Sequence, residues 1–446
     1  MINVITTILT FLFVLSIIVL VHEFGHYLAA RLVGVRVEAF SFGFGKRIFG
    51  KKIGDTDFRV SVIPLGGYVK MAGEEEYDPA NLKPYEFEAK NRAEKIFILI
   101  MGPLMNVLLA FLILAVINMT GVNVEKYKME APEIGYVQPG SPAAEAGLKP
   151  GDVVRSVNGA EVKDWRDLDA KIGINPNETL SLTFERDGET MTADLKVMSQ
   201  TQYNIGYAGF YYGYQARIAD VDSDEPADKA GIKPGDIILS IAGQAATHYE
   251  VSGLIGPNAG KEIPISVERD GKVLALKVTP EPNEAGEGRI GIKMLPYSPT
   301  VKLSFGLFAS LGRSFTEMKR LTALTFEAFR KMIVGKLSPK NLSGPIEIAK
   351  ISKRTLDAGL TSFFMLIAFI SLQLGIVNLF PIPALDGGHL LIYSIEAVIR
   401  REFGQKTKAI LINSGFILLI GLMVFVILND VAKALPNGWK SLLPFL

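Results

Sequence analysis

Two histidines and a glutamate near the N-terminus form the pattern with the clearest chemical meaning in this sequence. His22 and His26 are four positions apart, and Glu23 follows the first histidine directly. Residues four apart share one face of a helix, so both imidazoles can bind one Zn²⁺ ion while the carboxylate reaches its bound water. The spacing His-Glu-x-x-His is typical of zinc peptidases. We therefore expect His22 and His26 to be zinc ligands and Glu23 to be a catalytic base.

The same motif lies in a segment that is apolar enough to cross a membrane. No charged side chain occurs from Met1 to Val21, and the next charge after the motif is Arg31. At 1.5 Å per residue the two histidines lie roughly 8 to 13 Å below Arg31, beneath the membrane surface. Ionisable groups at that depth are costly and usually functional. A chance match on an exposed helix face is therefore a poor explanation of the motif.

The composition favours a membrane protein that also has soluble parts. Hydrophobic residues make up 49% of the 446 residues, and the formal net charge is +1, which gives no support to nucleic-acid binding. The chain has no cysteine, so thiolate zinc sites are excluded and His, Asp and Glu remain as ligands. The N-terminus lacks a basic region ahead of its apolar run, so we expect this run to be retained and not removed as a signal peptide.

Four apolar spans are predicted, at residues 2–30, 96–119, 360–380 and 410–428. Basic residues cluster between the first and second spans and between the third and fourth. The positive-inside rule makes both clusters cytoplasmic. The N-terminus, the long segment 121–359 and the C-terminus are then expected to face outward.

The outward segment contains an internal repeat. Residues 141–154 read SPAAEAGLKPGDVV and residues 225–238 read EPADKAGIKPGDII, and each copy later closes on Glu-Arg-Asp-Gly. Two copies predict two similar domains. They resemble bacterial PDZ domains, which hold extended peptides against a sheet edge. Each copy ends in an Ile-Gly pair, at 205–206 and 290–291, which we expect to begin the peptide-binding strand.

The expected fold is a polytopic α-helical membrane protein with four transmembrane helices and two mainly-β PDZ-like domains inserted between the second and third helices. The expected divisions are the first helix with the zinc motif (1–30), a cytoplasmic loop with a membrane-associated β-hairpin (31–95), the second helix (96–120), the PDZ-like domains (121–214 and 215–297), periplasmic amphipathic helices (298–359), the third helix (360–386), a cytoplasmic segment (387–408), the fourth helix (409–430) and a tail (431–446).

The first cytoplasmic loop contains two β-prone runs with glycine breaks, at residues 40–45 and 58–70. Their aromatic content favours a hairpin that dips into the membrane interface near the zinc motif, although a small solvent-side hairpin fits the composition as well. On the first interpretation Gly43 and Gly45 are candidate substrate-binding residues.

Catalytic zinc sites carry three protein ligands, and Asp386 is the best candidate for the third. It follows Pro381 and Pro383, which should break the third helix, and the ends of the first and third spans reach the same leaflet. The alternative role for Asp386 is capping of the helix that continues through His389.

These motifs together resemble the bacterial site-2 proteases, which are zinc intramembrane metalloproteases. The shared motifs are H-E-F-G-H at 22–26, P-L-G-G-Y-V-K-M at 64–71, G-P-L-M-N at 102–106, N-L-F-P-I-P-A-L-D-G-G-H at 378–389 and the two PDZ-like repeats. The resemblance covers nearly the whole chain. It implies Zn²⁺ bound by His22, His26 and Asp386, Glu23 as catalytic base, and Asn378 and Asn106 as residues that help to hold the substrate.

The function that the resemblance implies is proteolysis inside the bacterial inner membrane, with the active site toward the cytoplasmic leaflet. The implied substrates are transmembrane helices of anti-sigma-factor type, already shortened by a first protease, and remnant signal peptides. The PDZ-like pair would filter them, and the lipid bilayer is the other expected partner. Two other classes remain open: a non-catalytic membrane scaffold with a vestigial or structural zinc site, and a metal transporter. The transporter is disfavoured because one buried His/Asp cluster gives no relay of polar residues across the second and fourth spans.

Overall fold

The computed structural model describes residues 2–73, 81–200, 205–435 and 439. The described chain divides into two compact units. The helical unit comprises residues 1–122, 303–332 and 339–446, and the β-rich unit comprises residues 123–302 and 333–338.

The helices and strands are as follows. The helices are α1 (Ile2–Leu32), α2 (Arg92–Thr120), α3 (Pro142–Glu145), α4 (Trp165–Gly173), α5 (Pro226–Lys229), α6 (Val251–Ile255), α7 (Leu307–Ile333), α8 (Pro345–Asp357), α9 (Leu360–Asn378), α10 (Asp386–Ile399) and α11 (Gln405–Ala434). The strands are β1 (Val37–Ile53), β2 (Thr56–Met71), β3 (Val122–Glu125), β4 (Tyr136–Val137), β5 (Val153–Val157), β6 (Ala160–Glu161), β7 (Thr179–Arg186), β8 (Glu189–Lys196), β9 (Met198–Gln200), β10 (Ile205–Tyr207), β11 (Phe210–Tyr211), β12 (Gln215–Val221), β13 (Ile237–Ile241), β14 (Gln244–Ala245), β15 (Ile263–Arg269), β16 (Lys272–Val278), β17 (Glu281–Pro282), β18 (Gly288–Arg289), β19 (Ile292–Tyr297) and β20 (Thr300–Leu303).

Four helices of the described chain are long and apolar enough to cross a membrane: Val4–Leu32, Arg92–Thr120, Leu360–Asn378 and Lys406–Ala434. They correspond to the four predicted spans. The third is shorter than predicted, because α9 ends at Asn378, ahead of Pro381. The start of α2 is set by a capping box, in which Asn91 and Glu94 each bind the other's backbone N–H at 3.0 and 2.9 Å.

Helix α2 lies at the centre of the helical unit and packs against α1 and α9. Ala110 and Leu114 of α2 are buried with Leu372 and Ile376 of α9. Many apolar side chains elsewhere remain exposed, and Ile417 of α11 is 72% exposed. Surfaces of this kind suit lipid and not water.

Strands β1 and β2 fold back on themselves, so their pairing forms four short segments. Residues 39–42 of β1 pair with residues 57–60 of β2 on one side and with residues 67–70 on the other. Residues 47–53 of β1 pair with 56–61. The order across this sheet is therefore 47–53, 56–61, 39–42 and 67–71. The predicted simple hairpin is thus a small four-segment sheet.

The β-rich unit contains the two repeats, each with its own apolar core. The first repeat has a sheet in the order β6-β5-β7-β8, and the second has β16-β15-β13-β12-β19 with β14 beside β13. Motif residues that recur in the sequence make the same contact in both repeats. Arg186 binds Asp152 through two hydrogen bonds of 2.6 and 2.7 Å, and Arg269 binds Asp236 at the same two distances. Both carboxylates are fully buried.

The two repeats also match at a glycine that precedes a strand of each. A Cβ on Gly209 would lie 2.2 Å from Cβ of Ser141, and one on Gly291 would lie 2.4 Å from Cβ of Glu225. Ser141 and Glu225 each precede the short helix of their repeat. The partner of Gly291 is therefore Gly209, and the predicted pair at residues 205–206 is wrong. Sequence comparison missed it because the residue before Gly209 is alanine and not isoleucine.

Candidate active site

The structure brings His22, His26 and Asp386 together inside the helical unit. Nε2 of His22 lies 3.1 Å from Nε2 of His26 and 3.2 Å from an oxygen of Asp386. The second Asp386 oxygen lies 3.6 Å from Nε2 of His26. Both histidines are 8% exposed. Within the described residues this is the single cluster of three or more such side chains able to hold a metal ion.

These separations fit a zinc ion. Ligand atoms that each lie about 2.0–2.1 Å from a tetrahedral zinc ion are about 3.3–3.4 Å apart, which agrees with the observed triangle. Two neutral imidazoles and one carboxylate are also a ligand set that catalytic zinc sites use, and three protein ligands leave a fourth position for water or substrate. The three residues therefore fit zinc in both geometry and chemistry.

Each histidine ring is oriented through its second nitrogen. Nδ1 of His26 donates to the carbonyl of Ile98 at 2.9 Å, which leaves the Nε2 lone pair facing the triangle. Nδ1 of His22 lies 3.4 Å from the amide nitrogen of Asn106, and the amide oxygen of Asn106 is buried with no hydrogen-bond partner among the described residues. Half a turn of this amide brings the oxygen to Nδ1 of His22, so Nδ1–H donates to it and Nε2 is free to bind metal.

Gly102 allows α2 to pass directly beside both rings. A Cβ at this position would lie 2.3 Å from Nε2 of His26 and 2.9 Å from Cε1 of His22. No side chain larger than hydrogen fits there unless the rings move. Sequence reasoning places Gly102 in a motif but gives it no role, because the approach of α2 to the histidines is visible only in three dimensions.

Asp386 is the first residue of α10, and its side chain turns toward the two histidines. The residue at the cap position is Leu385, which makes no side-chain capping bond. The loop before it is tightly packed: a Cβ on Gly388 would lie 2.3 Å from the Ile382 carbonyl oxygen, and one on Gly415 of α11 would lie 1.5 Å from that of Pro383. The Pro-Ile-Pro loop is therefore held between α10 and α11, which sets the position of Asp386.

Glu23 lies beside an outer segment of the β1–β2 sheet. Its carboxylate faces the backbone N–H of Val69, and a Cβ on Gly67 would lie 3.6 Å from Cγ of Glu23. Gly67 is buried, and its partner on the neighbouring strand segment is Phe42. Residues 66–69 are thus the part of the sheet nearest to the predicted base. Sequence reasoning places them in a motif and in a β-prone run but does not predict that they lie beside Glu23.

The structure places the predicted substrate-binding residues in different surroundings. Asn378 ends α9 and is half-buried, and its side chain forms no hydrogen bond with the described residues. Asn106 is fully buried and contacts His22, a predicted zinc ligand, and its substrate-binding role stays a prediction. Gly43 and Gly45 have φ angles of 85° and 86° and form the bend between residues 37–42 and 47–53. Their place in the fold is to shape the sheet.

A second candidate site is a cavity of about 810 Å³ in the second repeat. It lies between α6 and the strands β18 and β19, and Ile292 and Met294 of β19 line it. In the first repeat the positions after Gly209 hold Phe210 and Tyr212, whose rings pack on Trp165 of α4 at 6.1 and 6.3 Å. Large aromatic side chains occupy there the space that is open in the second repeat.

Comparison with known proteins decides the family. The profile of peptidase family M50 matches residues 10–422 of the chain. The chain is a member of this family. Its family and the names of its relatives together identify this M50 peptidase as a zinc metalloprotease of the site-2 type.

Relatives of this M50 peptidase match it along nearly their whole length. A Haemophilus influenzae protein named "Regulator of sigma E protease" is 34% identical over 440 residues, which cover 94% of this chain and 97% of that protein. A Vibrio cholerae protein, provisionally named as a zinc metalloprotease, is 34% identical over 449 residues, which cover 95% and 98%. The PDZ domain of an SdrC-like protein from Listeria monocytogenes matches 19% of this chain and 90% of its own at 23% identity, with a TM-score of 0.18.

Proposed function

We propose that this protein is an intramembrane endopeptidase that cuts the membrane-spanning segments of single-span proteins. It would act in a bacterial inner membrane, with the active site toward the cytoplasmic leaflet. The N-terminus, the PDZ-like repeats and the C-terminus would be periplasmic, as the distribution of basic residues favours. The His22, His26 and Asp386 side chains are the proposed zinc ligands, and Glu23 is the proposed base.

One observation carries this proposal. Two histidines and an aspartate form a buried triangle of zinc-site dimensions, and the two histidines belong to a helix that is apolar enough to span a membrane. A site of this kind within the helical unit is accessible to a polypeptide that itself enters the membrane. Soluble substrates would have to bring polar backbone into hydrocarbon, which is costly.

The chain's own residues have defined tasks in the hydrolysis. When bound, zinc polarises the peptide carbonyl and makes a water molecule more acidic. Glu23 accepts the proton of the attacking water at its carboxylate and returns it to the leaving amine nitrogen, so the peptide C–N bond breaks and an acid and an amine are formed. Ile98 and Asn106 hold the rings of His26 and His22 so that each Nε2 faces the proposed zinc position.

A helical substrate must be unwound before it is cut, because its carbonyls are engaged in hydrogen bonds. Residues 66–69 support a way to do this, since they form an outer segment of the sheet beside Glu23. A substrate added there as a further strand would exchange helical hydrogen bonds for strand pairing. Replacing Gly43 or Gly45 by proline, whose φ is near −65°, should distort this sheet and reduce cleavage while zinc content stays the same. Unchanged cleavage would remove the sheet from the mechanism.

The PDZ-like repeats are proposed to filter substrates. The cavity of the second repeat supports this, because its size and its mixture of polar and apolar lining residues suit one end of an extended peptide. The Haemophilus influenzae relative is named for the regulation of sigma E, and we propose substrates of anti-sigma-factor type that a first protease has shortened. Remnant signal peptides are proposed as a second substrate group.

The test is cleavage of a single-span substrate in reconstituted vesicles. The unmodified protein should cut the substrate within its membrane segment, and Glu23→Gln should lose cleavage while it keeps its zinc. Cleavage that survives in Glu23→Gln would defeat a mechanism in which Glu23 is the base. A protein that binds zinc but cuts no membrane substrate, while its PDZ-like repeats still capture peptides, would favour the alternative of a non-catalytic membrane scaffold.

A further inference from the structure

The far end of the β1–β2 sheet differs from the end beside Glu23. Residues 37–43 of β1 have buried and half-buried side chains at most positions, whereas all ten residues from 44 to 53 are exposed. We call residues 44–53 the outer arm. Ile48, Phe49 and Ile53 of the outer arm are 61%, 64% and 60% exposed. Large apolar side chains that are exposed together on a strand mark a contact with another apolar phase.

The outer arm is also strongly basic. It contains Lys46, Arg47, Lys51 and Lys52 and no acidic residue. Arg47 is paired with Asp57 at 3.1 Å. In the part of the chain that the structure describes, the three lysines form no ion pair. Three positive charges therefore remain uncompensated beside the exposed apolar side chains.

Exposed apolar side chains together with uncompensated lysines indicate that the outer arm binds the surface of a membrane. Apolar side chains alone would suit a protein or a lipid, but lysines close beside them in the same strand suit the boundary between acyl chains and acidic headgroups. A lysine extends its ammonium group to the headgroups while its neighbours enter the acyl region. The outer arm belongs to the same compact unit as the four membrane-crossing helices, so such a boundary is within its reach.

We propose that the outer arm binds the headgroups of anionic phospholipids and thereby anchors the sheet whose opposite side lies beside Glu23. Three strand spacings separate the outer arm from residues 67–71, which is about 14 Å, and the pairing between them is continuous. The lipid would thus hold a sheet that the proposed function uses for substrates. The proposed orientation of the protein in the membrane is needed only to place the outer arm at the cytoplasmic leaflet.

The experiment follows the outer arm with a single fluorophore and needs no proteolysis. The chain has no cysteine, so Phe49→Cys gives one labelling site. The labelled full-length protein is placed in neutral detergent micelles and titrated with phosphatidylglycerol or with phosphatidylcholine. A second protein, labelled at Val273→Cys in the β-rich unit, has a comparably exposed site with 67% exposure and serves as the control.

We expect the emission at position 49 to shift toward that of an apolar environment with phosphatidylglycerol and to respond weakly to phosphatidylcholine. Replacing Lys46, Lys51 and Lys52 by glutamine should raise the half-effective phosphatidylglycerol concentration at least about tenfold. The matched variant replaces Lys149, Lys196 and Lys272 of the β-rich unit by glutamine and should leave it unchanged.

Two results would overturn the proposal. A water-like emission at position 49 with either lipid would show that the outer arm does not meet the membrane. An equal response to both lipids, or one that survives the loss of the three lysines, would show contact with acyl chains but no recognition of anionic headgroups. Neither result depends on whether the protein cleaves a substrate.

Discussion

His22 can bind zinc through Nε2 only when its other ring nitrogen carries the proton and has an acceptor. The buried oxygen of Asn106 is the acceptor that the surroundings offer. Asn106→Ala leaves the Nδ1–H of His22 without a partner, so zinc affinity should fall about 10- to 100-fold, whereas Asn106→Asp keeps an oxygen and should retain it. Competition with a chelator on the purified protein measures this. Tight zinc binding by Asn106→Ala would show that Asn106 does not orient the ring.

Gly102 gives a steric test of the same site. Alanine there would place a methyl group 2.3 Å from Nε2 of His26, far inside van der Waals contact, so Gly102→Ala should displace the ring and abolish both zinc binding and cleavage. The control is Gly421→Ala in α11, where an added Cβ meets nothing within 4 Å. Mass spectrometry of zinc content compares the two variants. Normal zinc content in Gly102→Ala would mean that α1 and α2 can move apart at this position without disturbing the zinc ligands.

The side chains of the triangle were predictable and their supports were not. Residue type and spacing identify His22 and His26, since a helix puts positions four apart on one face. Asp386 followed from the need for a third ligand and from the proline break before it. The role of Gly102 depends on how α1 and α2 approach each other, and that of Asn106 on the direction of one amide. Neither the approach of the two helices nor the direction of the amide produces a periodic pattern in the sequence from which it could be predicted.

At the scale of elements, long apolar helices are predictable because twenty or so apolar residues have few alternatives to a membrane span. The β1–β2 sheet is different. Its fold-back depends on pairing between residues 39–42 and two separate parts of β2, and on two glycines with positive φ. Pairing of that kind is set by long-range contacts, so the sequence indicates strands but not their order. The position of residues 66–69 beside Glu23 was not predicted for this reason.

The buried ion pairs Asp152–Arg186 and Asp236–Arg269 allow the stability of each repeat to be tested separately. Burial alone would raise the pKa of Asp236, but hydrogen bonds from Arg269 and from the Lys233 backbone outweigh it and the pKa is lowered. A carboxylate with a lowered pKa stabilises the fold above its unfolded pKa of about 3.9, and this contribution is lost as the pH falls through the folded value. Asp236→Asn should therefore destabilise the second repeat at neutral pH, by about 3 kcal/mol, and less in acid.

Hydrogen exchange on the full-length protein tests this with an internal control. Asp236→Asn should speed exchange in β13 and β15 and leave β5 and β7 unchanged, because the two repeats have separate cores. Asp152→Asn, which removes the matching carboxylate, should have the reverse effect. Equal changes in both repeats after either substitution would show that they unfold together.

At the scale of the whole molecule, the β-rich unit joins the helical unit through chain segments that run side by side. Strands β3 and β20 pair with each other, and the Lys126 N–H donates to the Pro299 carbonyl at 2.9 Å. The ends of the inserted segment are therefore adjacent. Sequence reasoning set the PDZ-like repeats between the second and third spans, at residues 121–297. It did not predict that the two ends of this segment pair, because a strand of four residues gives too weak a signal.

A deletion that uses these neighbouring ends tests the proposed filter. Removing residues 127–298 and joining Lys126 to Pro299 through a short glycine-serine linker keeps the β3–β20 pair and leaves His22, His26 and Asp386 in place. The shortened protein should bind zinc normally and should cut intact single-span substrates as well as shortened ones, whereas we expect the full-length protein to cut only shortened ones. Cleavage is measured in vesicles, with Glu23→Gln in the deletion background as the inactive control. If the deletion keeps zinc and cuts shortened substrate while intact substrate stays resistant, selection does not reside in the PDZ-like repeats, and it must then lie in the access of the substrate helix to the site itself.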